Sequence, residues 1–137
     1  MKGHLMRNTL FKATLVGAVL AISGVTYAGL NSINPVEIFT ESSTGTLAAH
    51  GSMRDARNSP DSSSYIGCWE SAFSGSPTMA LCVALDAQGN FFACQSTEPQ
   101  QVEVAASLNS ASFASFVVAQ DGVTCARVEA LQYSADL

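Results

Sequence analysis

The sequence predicts a mainly β protein, α+β only at its margin: a small antiparallel β-sandwich or meander with one short helix and two disulfides. Three observations carry this. From Leu47 onward, short apolar stretches alternate with turn residues at intervals of about ten, the texture of antiparallel β structure. Two pairs of stretches flank turns that end in Gly89 and Gly122. Four cysteines, Cys68, Cys82, Cys94 and Cys125, follow an export-type leader, and an even set in that position reads as disulfides.

The leader comes first. Lys2, Arg7 and Lys12 precede the apolar run from Ala13 to Ala28, which closes on the small residues Thr26 and Ala28. This is the three-part layout of a secretory signal peptide, residues 1–28, with cleavage after Ala28. Met1 and Met6 both fit as its start. An uncleaved anchor is the competing reading, because Ala13 to Leu30 reaches the lower limit of a spanning helix. Gly17, Gly24 and the Thr-Tyr-Ala end suit cleavage better, so the expectation is a secreted or periplasmic mature chain with no membrane segment.

Beyond the leader the only basic side chains are Arg54, Arg57 and Arg127, whereas all eleven acids lie there. Phosphate binding needs clustered Lys or Arg, so nucleic acid is excluded as a partner. Docking on anionic lipid is disfavoured for the same reason. An oxidising compartment gives the cysteines their meaning as bridges. Zinc is the alternative, but there is no Cys-x-x-Cys pair, and His50 is the one histidine after the leader. No metal or cofactor is expected.

The remaining length suits one modest core and no second domain. Residues 29–46 form a polar arm whose patch from Val36 to Phe39 offers at most one edge strand, and residues 47–137 form the single disulfide-bonded domain. The segment His50 to Asp61 reads as a solvated strand and turn, and Tyr65 to Ser71 as a strand. Met79 to Ser96 is the strongest local signal, a hairpin in which Asp86 begins a type I turn closed by a left-handed Gly89. If Asp86 faces Asn90, Cys82 faces Cys94, near enough to bridge. The expected pairs are therefore Cys82–Cys94 and, by elimination, Cys68–Cys125, although three connectivities are possible. Thr97-Glu98-Pro99-Gln100 makes a capping box with Thr97 as N-cap, opening a helix that runs to Asn109. Ser112 to Leu131 then forms a second hairpin around Asp121-Gly122.

The densest polar segment holds His50, Arg54, Arg57 and Asp61, the candidate binding residues. The two guanidiniums suit carboxylate or anion capture; the plainer reading pairs them with Asp55, Asp61 or Glu70. A hydrolase would have to use His50, and the chain has no Gly-x-Ser-x-Gly elbow. Ser-Lys catalysis lacks a lysine after the leader. A carboxylate pair such as Glu70 with Asp61 or Glu103 has no geometry that spacing can supply, and no catalytic residue is assigned. Asp55, Asn58 and Asp61, or Asp86, Gln88 and Asn90, are calcium-type donors without the spacing of a calcium loop. Trp69, Phe73, Phe91 and Phe92 offer a carbohydrate-stacking face, but a tryptophan beside a cysteine in a small β domain is expected to pack the core.

Arg57-Asn58-Ser59-Pro60-Asp61 and Tyr65-Ile66-Gly67-Cys68, followed by the Cys82 and Cys94 segment and the Thr97-Glu98-Pro99 helix start, resemble a family of small secreted bacterial disulfide-bonded proteins of uncharacterised activity. The resemblance spans about Gly51 to Leu131. It implies a secreted, disulfide-bonded domain and transfers no functional residue.

These features point to a secreted, non-catalytic binding or envelope-associated module whose partner is another protein or an envelope component. One alternative is an inhibitor of a secreted hydrolase that presents the Ser74-Gly75-Ser76-Pro77-Thr78 loop. The other is a small hydrolase depending on His50.

Overall fold

Alternating apolar residues assemble into two antiparallel sheets, described in a computed structural model over residues 33–132. The leader, its cleavage site and the choice between Met1 and Met6 lie outside the described residues. In chain order the elements are β1 (Glu37–Thr40), β2 (Leu47–Ser52), α1 (Met53–Arg57), β3 (Tyr65–Ser71), β4 (Met79–Leu85), β5 (Phe91–Ser96), α2 (Pro99–Ser107), β6 (Phe113–Val118) and β7 (Cys125–Leu131). One sheet has the order β1-β2-β6-β7, the other β3-β4-β5. No helix among the described residues is long and apolar enough to cross a membrane.

Both hairpins form where the turn chemistry places them. The Asp86 amide donates to the Asn90 carbonyl at 3.1 Å and the Gly89 amide to the Asp86 carbonyl at 3.1 Å, with Gly89 at φ +84°. That conformation is open to glycine at little cost. In the second hairpin Val117 faces Arg127 but Val118 faces Cys125, so Ala126 is an extra residue. Without this bulge Cys125 and Val128, three apart, would point to opposite faces; with it both are buried.

The cysteine pairing differs from expectation. The bridges are Cys68–Cys82 and Cys94–Cys125, although Cys82 does stand opposite Cys94 as the turn requires. The reason is the alternation of the antiparallel ladder. Asp86 and Asn90 form a hydrogen-bonded pair, so every second pair along the hairpin is of that wider kind, Cys82/Cys94 included. The backbone groups of Cys82 then point toward β5, which makes its pair with Cys68 on β3 the closer, non-hydrogen-bonded kind. Their Cα atoms are 4.0 Å apart. Cys94 is left to reach across to Cys125 on the other sheet, Cα to Cα 5.0 Å.

The core fills the space between the sheets. Ala49, Ala114, Phe116 and Val128 face Ile66, Ala80, Ala84 and Phe92, and Phe92 stacks on Phe116 with ring centroids 5.5 Å apart. The alanines let the sheets approach closely around this one aromatic pair. Of the polar arm, Val36 enters the core and β1 becomes the edge strand of the four-stranded sheet. Gly51 makes room for it: a Cβ there would stand 2.9 Å from the Val36 Cα and 3.0 Å from the Pro35 carbonyl oxygen.

Two local expectations are corrected. The strand-and-turn reading of His50 to Asp61 missed α1, which Ser52 caps by accepting from the Asp55 amide at 3.2 Å while Ala56 docks in the core. The N-cap of α2 is Glu98, not Thr97. Pro99 takes the first helical position, where its missing N–H costs nothing, and its ring holds the preceding residue extended. Glu98 accordingly has φ −66° and ψ 119°, and its amide donates to Ser96 Oγ at 3.1 Å.

Candidate binding surfaces

The polar segment is dispersed by the fold. His50 lies on β2 and directs its imidazole to the outside of the four-stranded sheet, Nε2 3.4 Å from Glu37 Oε2 and between the rings of Phe39 and Phe113 at 5.0 and 5.6 Å. Arg54 pairs with Asp55, Nε to Oδ1 3.5 Å. Asp55 also accepts from the Asn34 amide at 2.8 Å. Arg57 is exposed and makes no ion pair with the described residues. Asp61 pairs with neither arginine. It is held well below the ordinary carboxylate range by the Ser59 hydroxyl, the Ser64 and Ser63 amides and the Ser64 hydroxyl.

Each proposed chemistry can be weighed on this geometry. In register His50 sits opposite Ser115 and Glu37, yet among the described residues no serine hydroxyl is hydrogen-bonded to the imidazole. Of the two calcium-type sets, Asp86, Gln88 and Asn90 form one self-contained turn, whereas Asp55 lies on α1, bonded to the Asn34 amide and Arg54, and Asp61 accepts from the serines that follow it. Burial opposes the charge on Asp86, but the Asn90 side chain and amide and the Gln88 and Gly89 amides outweigh it, and its carboxyl is lowered. Asp121 is lowered likewise by the Thr124 hydroxyl and the Val123 and Thr124 amides. No group of three or more potential metal ligands forms among the described residues. A cleft of about 470 Å³ runs between Val36, Ala56, Pro60 and Ala87, with Asp55 and Asp61 on its rim; both carboxylates are already engaged as above.

The two outer sheet faces are built in opposite ways. On the four-stranded sheet Arg127 Nη2 bonds Glu41 Oε1 at 2.9 Å and its Nε lies 3.5 Å from Glu129 Oε2. Phe39, Ala48, Val117 and Arg127 share one row, so this ion pair spans Val117 and Ala48. Each is 2% exposed although neither belongs to the inner core. Charge and the arginine stem cover the middle of that face, while Phe39 and Leu131 stay 39% and 47% exposed at its margins.

The outer face of the three-stranded sheet has no such cover. Ile66, Cys68, Ala80, Cys82, Ala84, Phe92 and Cys94 point inward, so the residues between them point out. Register aligns these in rows: Tyr65, Leu85 and Phe91; then Gly67, Val83 and Ala93; then Trp69, Leu81 and Gln95. None is charged. Tyr65 is 42%, Trp69 50% and Phe91 61% exposed. Val123 continues the surface beyond β5, where the Gln95 amide donates to its carbonyl at 2.9 Å.

The expectation that Trp69 packs the core is thus overturned; of the four aromatics considered, only Phe92 is buried. Phe73 is exposed in the loop between β3 and β4. The reason is strand parity: a residue adjacent to an inward cysteine must face outward. The same rule, applied from Cys68, Cys82 and Cys94, would have marked Tyr65, Leu81, Val83 and Leu85 as surface residues from sequence alone. Compared with family models, with curated proteins and with solved structures, the chain matches none.

Proposed function

We propose that the chain is an exported, non-catalytic binding module of the periplasm or exterior, and that its recognition surface is the uncharged outer face of the three-stranded sheet. One observation carries this reading: Tyr65, Trp69 and Phe91 stand half exposed around Leu81, Val83 and Leu85 on a face without charge, while the outer face of the opposite sheet is crossed at its middle by the Arg127 ion pairs with Glu41 and Glu129. Contiguous exposed apolar surface on a small domain marks an interaction site. Two disulfides suit the oxidising compartment that export past the leader would reach.

The direct test is binding by the exported chain carrying Trp69→Ser with Phe91→Ser. Both side chains leave the core untouched, so folding is preserved and capture of the envelope or protein partner is lost. Unchanged capture, or a hydrolytic activity abolished by His50→Ala, would overturn the reading.

A second reading has its own support. The Cys68–Cys82 bridge ties the strands on either side of the Ser74 to Thr78 loop, and Phe73 is 67% exposed beside it. A loop carried on a covalently tied pair of strands and presenting a large side chain is how a small protein inhibits a hydrolase without losing affinity to disorder. Shortening Ser74 to Thr78 would abolish inhibition under this reading and leave binding through the sheet face intact under the first.

A further inference from the structure

We propose that a second copy of this chain occupies the outer face of the three-stranded sheet, the two sheets packing face to face about a two-fold axis. This rests on the reading of that face as a recognition surface and names its occupant. Charge is the first reason. With three arginines against eleven acids after Leu30, two copies repel wherever charged surfaces meet. The rows through Leu85, Val83 and Leu81 carry no charge to oppose their own image.

Relief is the second reason. Gly67 and Ala93 flank Val83, so the middle row is low between the ridge of Tyr65, Leu85 and Phe91 and the ridge formed by Trp69 and Leu81. Met53 bounds the low row at its β3 end, its Cε 3.5 Å from where a Gly67 Cβ would stand. A ridge of one copy fits the low row of the other, the self-complementarity that a two-fold contact requires.

Area is the third. Three aromatic side chains at about half exposure present roughly 300 Å², and the partly exposed Leu81, Val83, Leu85 and Ala93 with Val123 bring the face to on the order of 500 Å² per copy. At roughly 1,000 Å² in total, that is the size of weak, reversible associations and exceeds casual contacts. A reversible dimer is the result. A polysaccharide fits less well, because beside its apolar residues the face offers only the Tyr65 hydroxyl, Gln95 and the Ser71 hydroxyl at its end.

Trp69 is the chain's one tryptophan, so its emission reports this face alone. The experiment is sedimentation equilibrium of the exported chain from nanomolar to near-millimolar concentration, with Trp69 emission followed in parallel. The expected result is a monomer–dimer equilibrium whose dimer has blue-shifted emission. Added salt tightens it, since screening removes repulsion between like net charges. Val83→Glu weakens self-association by on the order of 100-fold or more, because each copy would bury an unpaired carboxylate. Phe39→Ser, on the other sheet, leaves it unchanged. Intact mass without reduction checks that both bridges are present in each variant. A chain monomeric at every concentration, or a dimer that Val83→Glu leaves intact, overturns the proposal. If the chain is monomeric but Trp69 emission shifts on adding phosphatidylcholine vesicles or solubilised envelope protein, the face still recognises a partner and only its occupant is wrong. If it responds to neither, the recognition surface fails as well.

Discussion

Cys82 stands directly opposite Cys94 in the β4–β5 register, yet the two sulfurs are not joined. Cys82 has a second cysteine opposite it on β3, at the closer kind of cross-strand position, and that neighbour takes it. Proteolysis without reduction should release peptides linked through Cys68–Cys82 and Cys94–Cys125, and none linked through Cys82–Cys94.

The two bridges should differ in weight. By loop entropy, a closure of 14 residues stabilises by about 3 kcal/mol and one of 31 by about 3.7 kcal/mol. Replacing Cys94 and Cys125 by alanine should therefore lower urea stability more than replacing Cys68 and Cys82. Intersheet separation adds to the difference, since only Cys94–Cys125 joins the two layers.

Adjacent phenylalanines on β5 should respond in opposite ways. Phe92→Ala removes half of the aromatic stack in the core and costs ~3–5 kcal/mol. Phe91→Ala touches an exposed side chain and costs about 0.5 kcal/mol or less. Equilibrium denaturation of the two variants checks both.

Gly51→Ala should destabilise the domain by roughly 1–3 kcal/mol, the usual cost of forcing atoms into a packed site. The added methyl meets backbone, not a flexible side chain: the Val36 Cα at 2.9 Å. Its signature would be early hydrogen exchange at the Ser52 amide, which donates to the Asn34 carbonyl at 3.0 Å.

Acid should unfold the protein through its turns. Asp61, Asp86 and Asp121 all have carboxyls lowered in the folded state. A group lowered on folding contributes stability that is complete above its unfolded value, near pH 4 for aspartate. That stability is lost as pH falls through the folded values. Stability should hold from neutral pH down to about 4 and decline below it, and Asp86→Asn or Asp121→Asn should flatten the decline.

Much of the fold was legible because the turns announce themselves. Asp86 with Gly89 and Asp121 with Gly122 placed both hairpins, and Val36 to Phe39 marked the edge strand. The disulfide pairing is not legible from facing positions alone, because the ladder alternates two spacings and Cys82 faces a cysteine on each side. The exposed apolar face escapes a sequence reading for a related reason: nearness to Cys68 suggests a core position for Trp69, when adjacency on a strand means opposite faces. The short helix α1 carried its signal in Ser52 and Asp55, a capping pair too close to the end of β2 to stand out. His50 and Arg57, singled out by scarcity of charge, are brought to no common site.

The bridges also determine how the domain yields to force. Tension applied at its two ends would pass through residues 33–68, cross from Cys68 to Cys82, run to Cys94 and cross again to Cys125. Residues 69–81 and 95–124 lie off this path, so α2 and β6 never bear load directly. Under a pulling translocase or an unfolding protease, β1, β2 and α1 would peel first. A covalent remnant carrying Trp69 and the loop at Ser74 would remain until a reductant opened it.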